Sequence, residues 1–358
     1  MRRKVGIVTF HRSRNYGAVL QTYALQNVLS SMGIDSEVID YQNRKIAEDL
    51  KLWNKPKKID LKQIIRSILQ FLYRFRKKTA FDKFINNNIK LSKMKDQKNI
   101  NGNYQYDWFI TGSDQVWNKN LTDNDGTYYL DFVPKETPKV AYAVSAGDSL
   151  QVDHKRIERA VEDFVSISVR EEILRNFLQT EYRYNAKICC DPTLLVETRL
   201  FEKMIKTKRC KNKYIFLYMI QDCNELYEKA ERLAKENGLS LVSNKNCFSF
   251  FKNCSPIDFL NWIYYAEYII TNSFHGTCFS LHFEKNFIVD VEKSGRMKNQ
   301  RVIDLLENLN MRNKLIMHSE NLNVIRKKLM NKVDYCEVKH CMEVMRVESL
   351  EWLNGVVK

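Results

Sequence analysis

The chain has 358 residues, 44% of them hydrophobic and 12% aromatic, which is enough to bury the cores of two domains. Its 58 Lys and Arg residues exceed its 43 Asp and Glu residues, and the formal net charge is +15. This balance favours anionic partners such as nucleic acid, anionic lipid or a phosphorylated substrate, and a lysine-rich solvated surface is the alternative explanation.

Nothing in the sequence predicts a membrane span, an export signal or a metal site. No run of 18 or more apolar residues occurs, and the apolar stretch Val5 to Phe10 is too short for a signal peptide. The nine cysteines lack zinc-finger spacing and are odd in number. We therefore expect reduced thiols in the cytoplasm and no metal or organic cofactor.

The first residues predict the opening of a doubly wound α/β domain. Lys4 to Phe10 is a strand, a helix runs to Ser31, and Glu37 to Asp40 is the next strand. The loop after the first strand lacks the GxGxxG pattern, so we infer no dinucleotide site. It supplies four candidate residues for a binding cleft: Arg12, Asn15, Tyr16 and Gly17.

Residues 57–78 predict a basic amphipathic helix. Apolar side chains recur at helical spacing and are flanked by lysines and arginines. This pattern is typical of a helix lying in a membrane interface. An ordinary amphipathic helix packed on the domain is the alternative.

Two further strand ends supply polar candidates. Tyr106 to Ile110 is a strand followed by the loop TGSDQVWN, whose candidate cleft residues are Ser113, Asp114, Gln115 and Asn118. Ser166 to Val169 is a strand followed directly by Arg170, whose planar guanidinium can bind a carboxylate or phosphate in a bidentate manner. A surface arginine paired with its Glu neighbours is the other interpretation.

The second half repeats the strand–helix order, and its most informative stretch is YAEYIITNSFHGTCFSLHF, from Tyr265 to Phe283. Tyr268 to Thr271 predicts a buried parallel strand, and a helix follows. His275 and Gly276 lie where the strand gives way to the helix, a position at which ligands, and anions in particular, bind in parallel sheets. A histidine that only satisfies a loop is the alternative.

We predict an α/β fold with two Rossmann-like domains facing across a cleft. The first covers residues 1–205 and includes the basic helix, and the second covers 206–325. Residues 326–358 form a C-terminal helical segment that packs back toward the first domain. The boundary is set where charge is dense and periodicity lapses, between Glu197 and Asn212.

Taken in order, seven pieces of the chain resemble the polysaccharide pyruvyl transferases. They are NYGAVLQTYALQ, ITGSDQVWN, YAVSAG, ISVRE, DPTLL, SPIDFLNWIYYAEYIITNSFHGTCFSL and the R-x-x-x-x-R loop before VIDLLENL. The resemblance covers nearly the whole chain. It implies two domains arranged as in GT-B glycosyltransferases, with phosphoenolpyruvate as donor and a ketal formed on a sugar of a cell-surface glycan.

The resemblance also implies roles for individual residues. His275 is expected to be the general acid. The expected donor-binding residues are Arg170, Ser273, Gly276, Thr277, Arg296 and Arg301. His275 stands in SFHG rather than the R-L-H setting of some members, so Arg296 or Arg301 is expected to replace that arginine.

Two other functions compete with this interpretation. A GT-B glycosyltransferase using a nucleotide sugar shares the expected fold, and a basic nucleic-acid-binding protein shares the charge but would need zinc-finger or RNP signatures. The expected partners are phosphoenolpyruvate, a saccharide acceptor linked to a lipid diphosphate, and an anionic membrane surface, with no nucleic acid. The expected location is the cytoplasm, with peripheral contact to the inner face of the cell membrane.

Overall fold

The computed structural model describes residues 3–52, 61–102, 104–148, 150–245, 247–292 and 299–357. Its first half is built on a six-stranded sheet. The strands are β1 (Lys4–Val8), β2 (Asp35–Val38), β3 (Trp108–Asp114), β4 (Lys139–Val144), β5 (Ser166–Val169) and β6 (Lys187–Ile188). The helices of this half are α1 (Tyr16–Ser31), α2 (Arg44–Asp49), α3 (Leu61–Asn88), α4 (Lys119–Thr122), α5 (His154–Asp163), α6 (Glu172–Tyr182), α7 (Pro192–Leu195) and α8 (Arg199–Glu202).

The second half contains a five-stranded sheet. The strands are β7 (Tyr214–Tyr218), β8 (Ser240–Ser243), β9 (Tyr268–Thr271), β10 (Asn286–Asp290) and β11 (Leu315–Ile316). The helices are α9 (Asn224–Glu236), α10 (Phe248–Lys252), α11 (Pro256–Tyr264), α12 (Phe274–His282), α13 (Gln300–Asn308), α14 (Leu322–Met330) and α15 (Tyr335–Val357). Short 3-10 turns lie at Gly126–Tyr129 and Arg312–Lys314.

All strand pairs in both sheets are parallel, with orders β2-β1-β3-β4-β5-β6 and β11-β10-β9-β7-β8. Every residue of β4 and of β7 is buried, because helices cover both faces of a parallel sheet. The predicted α/β fold with two parallel sheets is therefore confirmed. All carboxyl ends within a sheet lie at one edge, which is the edge that positions the site.

Strand β3 is longer than the sequence pattern predicts. It continues through the small polar residues Thr111 to Asp114, and Asp114 pairs with Val144 of β4. Thr111 and Ser113 are fully buried because their hydroxyls donate hydrogen bonds to the carbonyls of Tyr128 and Ala143. Serine and threonine can lie in a buried strand when their hydroxyls are hydrogen-bonded. A search for hydrophobic residues alone does not detect such a strand.

The cores of the two halves meet. Tyr16 of α1 stacks on Phe259 of α11 with ring centroids 4.7 Å apart, and its hydroxyl donates to the Cys254 carbonyl at 3.0 Å. Helix α15 lies against the first half, where the Ser349 hydroxyl accepts the Cys190 N–H at 3.0 Å. Helix packing thus joins the halves.

Helix α3 corresponds to the predicted basic amphipathic helix, and Lys57 and Lys58 of that prediction lie outside the described residues. In the part of the chain that the structure describes, no helix is both long and apolar enough to cross a membrane.

Candidate active site

The candidate site lies where strands of both sheets end. Arg170 and Glu171 follow β5, Asp191 follows β6, and His275 stands in the first turn of α12 just after β9. In open parallel sheets, ligands bind outside these carboxyl ends.

Local hydrogen bonds build the start of α12. The Ser273 hydroxyl caps the helix by accepting the Gly276 N–H at 3.2 Å, and the Thr277 hydroxyl donates to the Ser273 carbonyl at 3.0 Å. A Cβ at Gly276 would lie 2.5 Å from Thr271 Oγ1, so this turn requires glycine. These three predicted residues therefore hold the helix start in place directly after the strand.

His275, Asp191 and Arg170 form a buried row. His275 Nε2 lies 3.4 Å from Asp191 Oδ2, and the same oxygen accepts a 2.8 Å hydrogen bond from Arg170 Nη1. The other oxygen of Asp191 accepts from the N–H and the hydroxyl of Thr193. Burial alone would raise the pKa of the Asp191 carboxyl, but His275 and Arg170 outweigh it and hold that pKa below its ordinary value.

Two nitrogens of the Arg170 guanidinium have no hydrogen-bond partner among the described residues. Its Nη2 is 3.6 Å from Asp114 Oδ1 and its Nε is 3.8 Å from Glu171 Oε2, distances of ion pairs rather than hydrogen bonds. Among the described residues neither nitrogen has a hydrogen-bond partner, although both are buried. Unsatisfied buried donors are rare in native proteins and indicate a ligand or water.

Arg301 lies beside Arg170. The guanidinium carbons of the two residues are 4.7 Å (Arg170) and 5.9 Å (Arg301) from the centre of the Phe274 ring. Arg301 Nε is 3.7 Å from Asp148 Oδ1. Burial and the neighbouring Arg170 lower the pKa of Arg301, and burial raises the pKa of Glu171 despite both arginines. Two buried, adjacent guanidiniums favour binding of an anion between them.

Gly17 of the first half lies directly against His275. A Cβ at position 17 would be 2.0 Å from His275 Nδ1. Any residue other than glycine at this position would therefore have to displace the imidazole ring. The Asn15 side chain caps α1 by accepting the Gly17 N–H at 2.9 Å, and Tyr16 is 2% exposed in the core. Gly17 is thus the predicted first-half residue that meets His275.

The other predicted cleft residues have local partners. Arg12 makes a bidentate ion pair with Asp40, at 2.8 and 2.6 Å, and lines a cavity beside α2. The Ser113 hydroxyl is inside the sheet. Asn118 donates to Gln115 Oε1 at 3.1 Å, beside Gly147. Asp114 is the member of this group that reaches Arg170, and Arg296 lies outside the described residues.

Sequence reasoning missed three residues of the site: Asp191, Glu171 and Phe274. Asp191 precedes a proline, a pattern typical of a turn, and its side chain caps the short helix α7. The available signal was its position after a strand, the same signal that selected Arg170 and His275.

Elsewhere, potential metal-ligand atoms of Cys223, Asp290 and His318 lie within 4.8 Å of one another in the described part of the chain. The Asp290 carboxylate already accepts two hydrogen bonds from His318, from its backbone N–H and from Nδ1, both at 3.0 Å. These contacts account for the cluster as a structural tie between β10 and the loop after β11.

Comparisons with known proteins place this geometry in context. The family model described as polysaccharide pyruvyl transferase matches residues 15–289. No curated protein matches the chain. Among solved structures, the S. aureus MnaA–UDP co-structure is 11% identical with a TM-score of 0.50, covering 91% of this chain and 87% of that one. UDP-GlcNAc 2-epimerase from Neisseria meningitidis, bound to UDP-GlcNAc, is 12% identical with a TM-score of 0.48, covering 98% and 100%. At such identities the likeness concerns the fold alone, and the predicted GT-B-like arrangement is confirmed.

Proposed function

Because this chain belongs to the polysaccharide pyruvyl transferase family, we propose that it transfers the pyruvyl group of phosphoenolpyruvate to a saccharide. The product is a ketal on two hydroxyls of a sugar in a cell-surface polysaccharide precursor. The observation that carries this proposal is Arg170, whose buried Nε and Nη2 have no hydrogen-bond partner among the described residues.

The donor's two anionic groups match the charges of the site. Phosphoenolpyruvate carries a carboxylate and a phosphate, and arginine binds either group with two parallel hydrogen bonds. Arg170 and Arg301 both lie near the Phe274 ring at the start of α12, where a helix N-terminus adds a favourable field. Glu171 lies 3.8 Å from Arg170 Nε, and burial raises the pKa of this carboxyl.

His275 is suited to protonate the enol carbon of the donor. Imidazole is a common general acid near neutral pH, and the Asp191 carboxylate lies 3.4 Å from Nε2, where it can orient the ring. Protonation leaves an oxocarbenium-like carbon that one sugar hydroxyl attacks, phosphate then leaves, and the second hydroxyl closes the ketal ring. The two hydroxyls give up two protons, of which one restores the acid and the other leaves with the phosphate, so the scheme needs no organic cofactor or metal.

The acceptor is proposed to bind at the first-half edge, beside Gly17 and Asp114. We propose a saccharide linked to a lipid diphosphate, because a surface polysaccharide is assembled from such precursors in the reaction class that the family represents. The enzyme would then act on the cytoplasmic side of the membrane.

The test measures phosphate release from phosphoenolpyruvate in the presence of candidate glycans, together with the mass of the glycan. The expected result is phosphate release that depends on acceptor and a mass gain equal to one pyruvyl ketal. Release of nucleoside diphosphate from a sugar nucleotide, with phosphoenolpyruvate left intact, would replace the proposal with a glycosyltransferase.

A further inference from the structure

Helix α3 carries a row of large apolar side chains that the fold leaves exposed to solvent. The exposed fractions are 50% for Ile65, 44% for Ile68, 61% for Leu69, 54% for Leu72 and 52% for Phe75. These positions follow the i, i+3, i+4, i+7 spacing of one helix face. They form a continuous surface, here called the α3 stripe, which differs from the scattered single apolar residues of an ordinary surface.

The fold packs the opposite side of the same helix. Phe81, Phe84 and Ile85 are at most 3% exposed and belong to the main core. At 3.6 residues per turn these three positions point away from the α3 stripe. The core therefore does not need the stripe, and its apolar character requires another explanation.

The stretch of α3 that carries the stripe is basic. Residues 61–81 contain six basic residues and no carboxylate, namely Lys62, Arg66, Arg74, Arg76, Lys77 and Lys78. Arg76 donates to the Lys252 carbonyl, a neutral acceptor, whereas Lys78 makes a 2.7 Å ion pair with Asp82 at the core end of the helix. Such a surface repels a second copy of itself and attracts an anionic one.

A second element extends this surface. Helix α10 packs on α3, with the Tyr73 and Phe251 ring centroids 4.7 Å apart, and Phe248 at its start is 80% exposed. Lys77 of α3 also lies 4.8 Å from the Tyr16 ring centre, next to the residue that meets His275. The surface is thus attached to both halves and adjoins the candidate site.

We propose that the α3 stripe, together with Phe248, inserts into the interface of an anionic lipid bilayer while the surrounding cations contact lipid headgroups. This binding mode stands without the proposed enzymatic function. If that function holds, the same contact presents the cleft to an acceptor held on a lipid.

Vesicle sedimentation tests the proposal directly. Wild type is compared with a Leu69→Asn/Leu72→Asn double variant and with an Arg66→Gln/Arg76→Gln double variant, all on exposed positions of α3. The matched controls are Val165→Asn/Val324→Asn, at sites 56% and 44% exposed, and Lys135→Gln/Arg312→Gln, whose side chains are 83% and 80% exposed. Vesicles contain phosphatidylcholine alone or phosphatidylcholine with phosphatidylglycerol.

The expected result is binding that requires phosphatidylglycerol and weakens as salt is added. The leucine pair should lower the partition coefficient about tenfold or more, and each lost arginine about fivefold, while the controls bind as wild type does. Phosphate release with a water-soluble acceptor should stay unchanged in the leucine pair, which separates this proposal from the proposed function. The membrane-binding proposal would be overturned if the wild-type protein did not bind anionic vesicles at low salt. A dimer in solution that the leucine pair converts to monomers would also overturn it, because the stripe would then be an interface between copies.

Discussion

Gly17 and His275 come from opposite halves of the chain and touch, with only the hydrogen of the glycine fitting against the imidazole. An ideal Cβ at residue 17 would stand 2.0 Å from Nδ1 and 2.1 Å from Cγ of the ring. The residue His275 is 8% exposed, so its ring has little freedom to move aside. The position of the candidate acid therefore depends on a backbone that belongs to the other half.

We expect Gly17→Ala to reduce turnover strongly, because the methyl group must displace His275 or separate the halves. A displacement of about 1 Å in a catalytic group can cost about 100-fold in rate. Phosphate release from phosphoenolpyruvate measures the loss. Gly355→Ala in α15 is the control, because nothing lies within 4 Å of its Cβ position.

A second background checks that the clash is with the ring. Adding Gly17→Ala to His275→Ala should cost little further stability in chemical denaturation, because the clashing atoms are gone. An equal loss of stability in both backgrounds would mean that another contact makes residue 17 sensitive.

His275→Ala should remove most turnover while the protein stays folded. The loss expected for a general acid is roughly 10²–10⁴-fold. Circular dichroism and thermal unfolding establish folding, and steady-state kinetics establish the rate. A folded variant with near-normal turnover would show that His275 has only a structural role.

The sequence predicted β9 and α12 closely because their pattern is local. Tyr268 to Thr271 is a buried β-branched and aromatic strand, and Ser273 followed by Gly276 marks the helix start. The same reasoning placed Arg170 and His275 at strand ends. The fold could therefore be predicted, and so could the edge of the sheets that carries the site.

The contacts between these residues could not be predicted in the same way. Arg170 meets Asp191 because β5 and β6 are neighbours, and strand order is not a property of any local pattern. The contact of Gly17 with His275 depends on how two domains dock. Arg12, in contrast, was predicted to lie in the cleft because of its position in a loop after a strand. It instead makes a bidentate ion pair with Asp40, which follows the next strand.

Arg170→Lys and Arg301→Lys should each weaken phosphoenolpyruvate binding, because lysine keeps the charge but loses the planar fork. A charge-assisted hydrogen bond contributes about 1.5–3 kcal/mol, so the loss should be about tenfold or more. Donor affinity can be measured by calorimetry without acceptor. Arg312→Lys, on an 80% exposed side chain, is the control. Unchanged affinity in both site variants would place the donor elsewhere.

His282 should make the folded state sensitive to acid. It is 4% exposed, its Nε2 is 2.6 Å from the Thr193 carbonyl, and burial lowers the pKa of the imidazole from 6.5 to about 4. Above pH 6.5 folded and unfolded chains both hold it neutral, so its contribution to stability is complete. As the pH falls from 6.5 to about 4 the unfolded chain takes up a proton that the folded chain does not, and the free energy of unfolding drops by about 3 kcal/mol.

Urea denaturation at about pH 7 and about pH 4.5 measures this drop. It should be smaller in His282→Gln than in wild type, whereas His340→Gln, on an exposed side chain, should behave as wild type does. An identical pH dependence in wild type and His282→Gln would assign the acid sensitivity to other groups.

Asp191→Asn should lower turnover through His275. The amide keeps the shape of the side chain and can still accept from Thr193, but it removes the carboxylate charge that lies 3.4 Å from Nε2 and orients the imidazole. Loss of one charge-assisted interaction corresponds to about 10–100-fold. Because the pKa of Asp191 is held below its ordinary value, the wild-type carboxyl stays ionised throughout the assay range, and its own titration should not appear in the pH–rate profile.

A double-mutant cycle with His275→Ala separates the two routes by which Asp191 can act. If Asp191 works by orienting His275, the asparagine should cost almost nothing once the imidazole is absent. A full loss in that background would instead mean that Asp191 acts by holding Arg170.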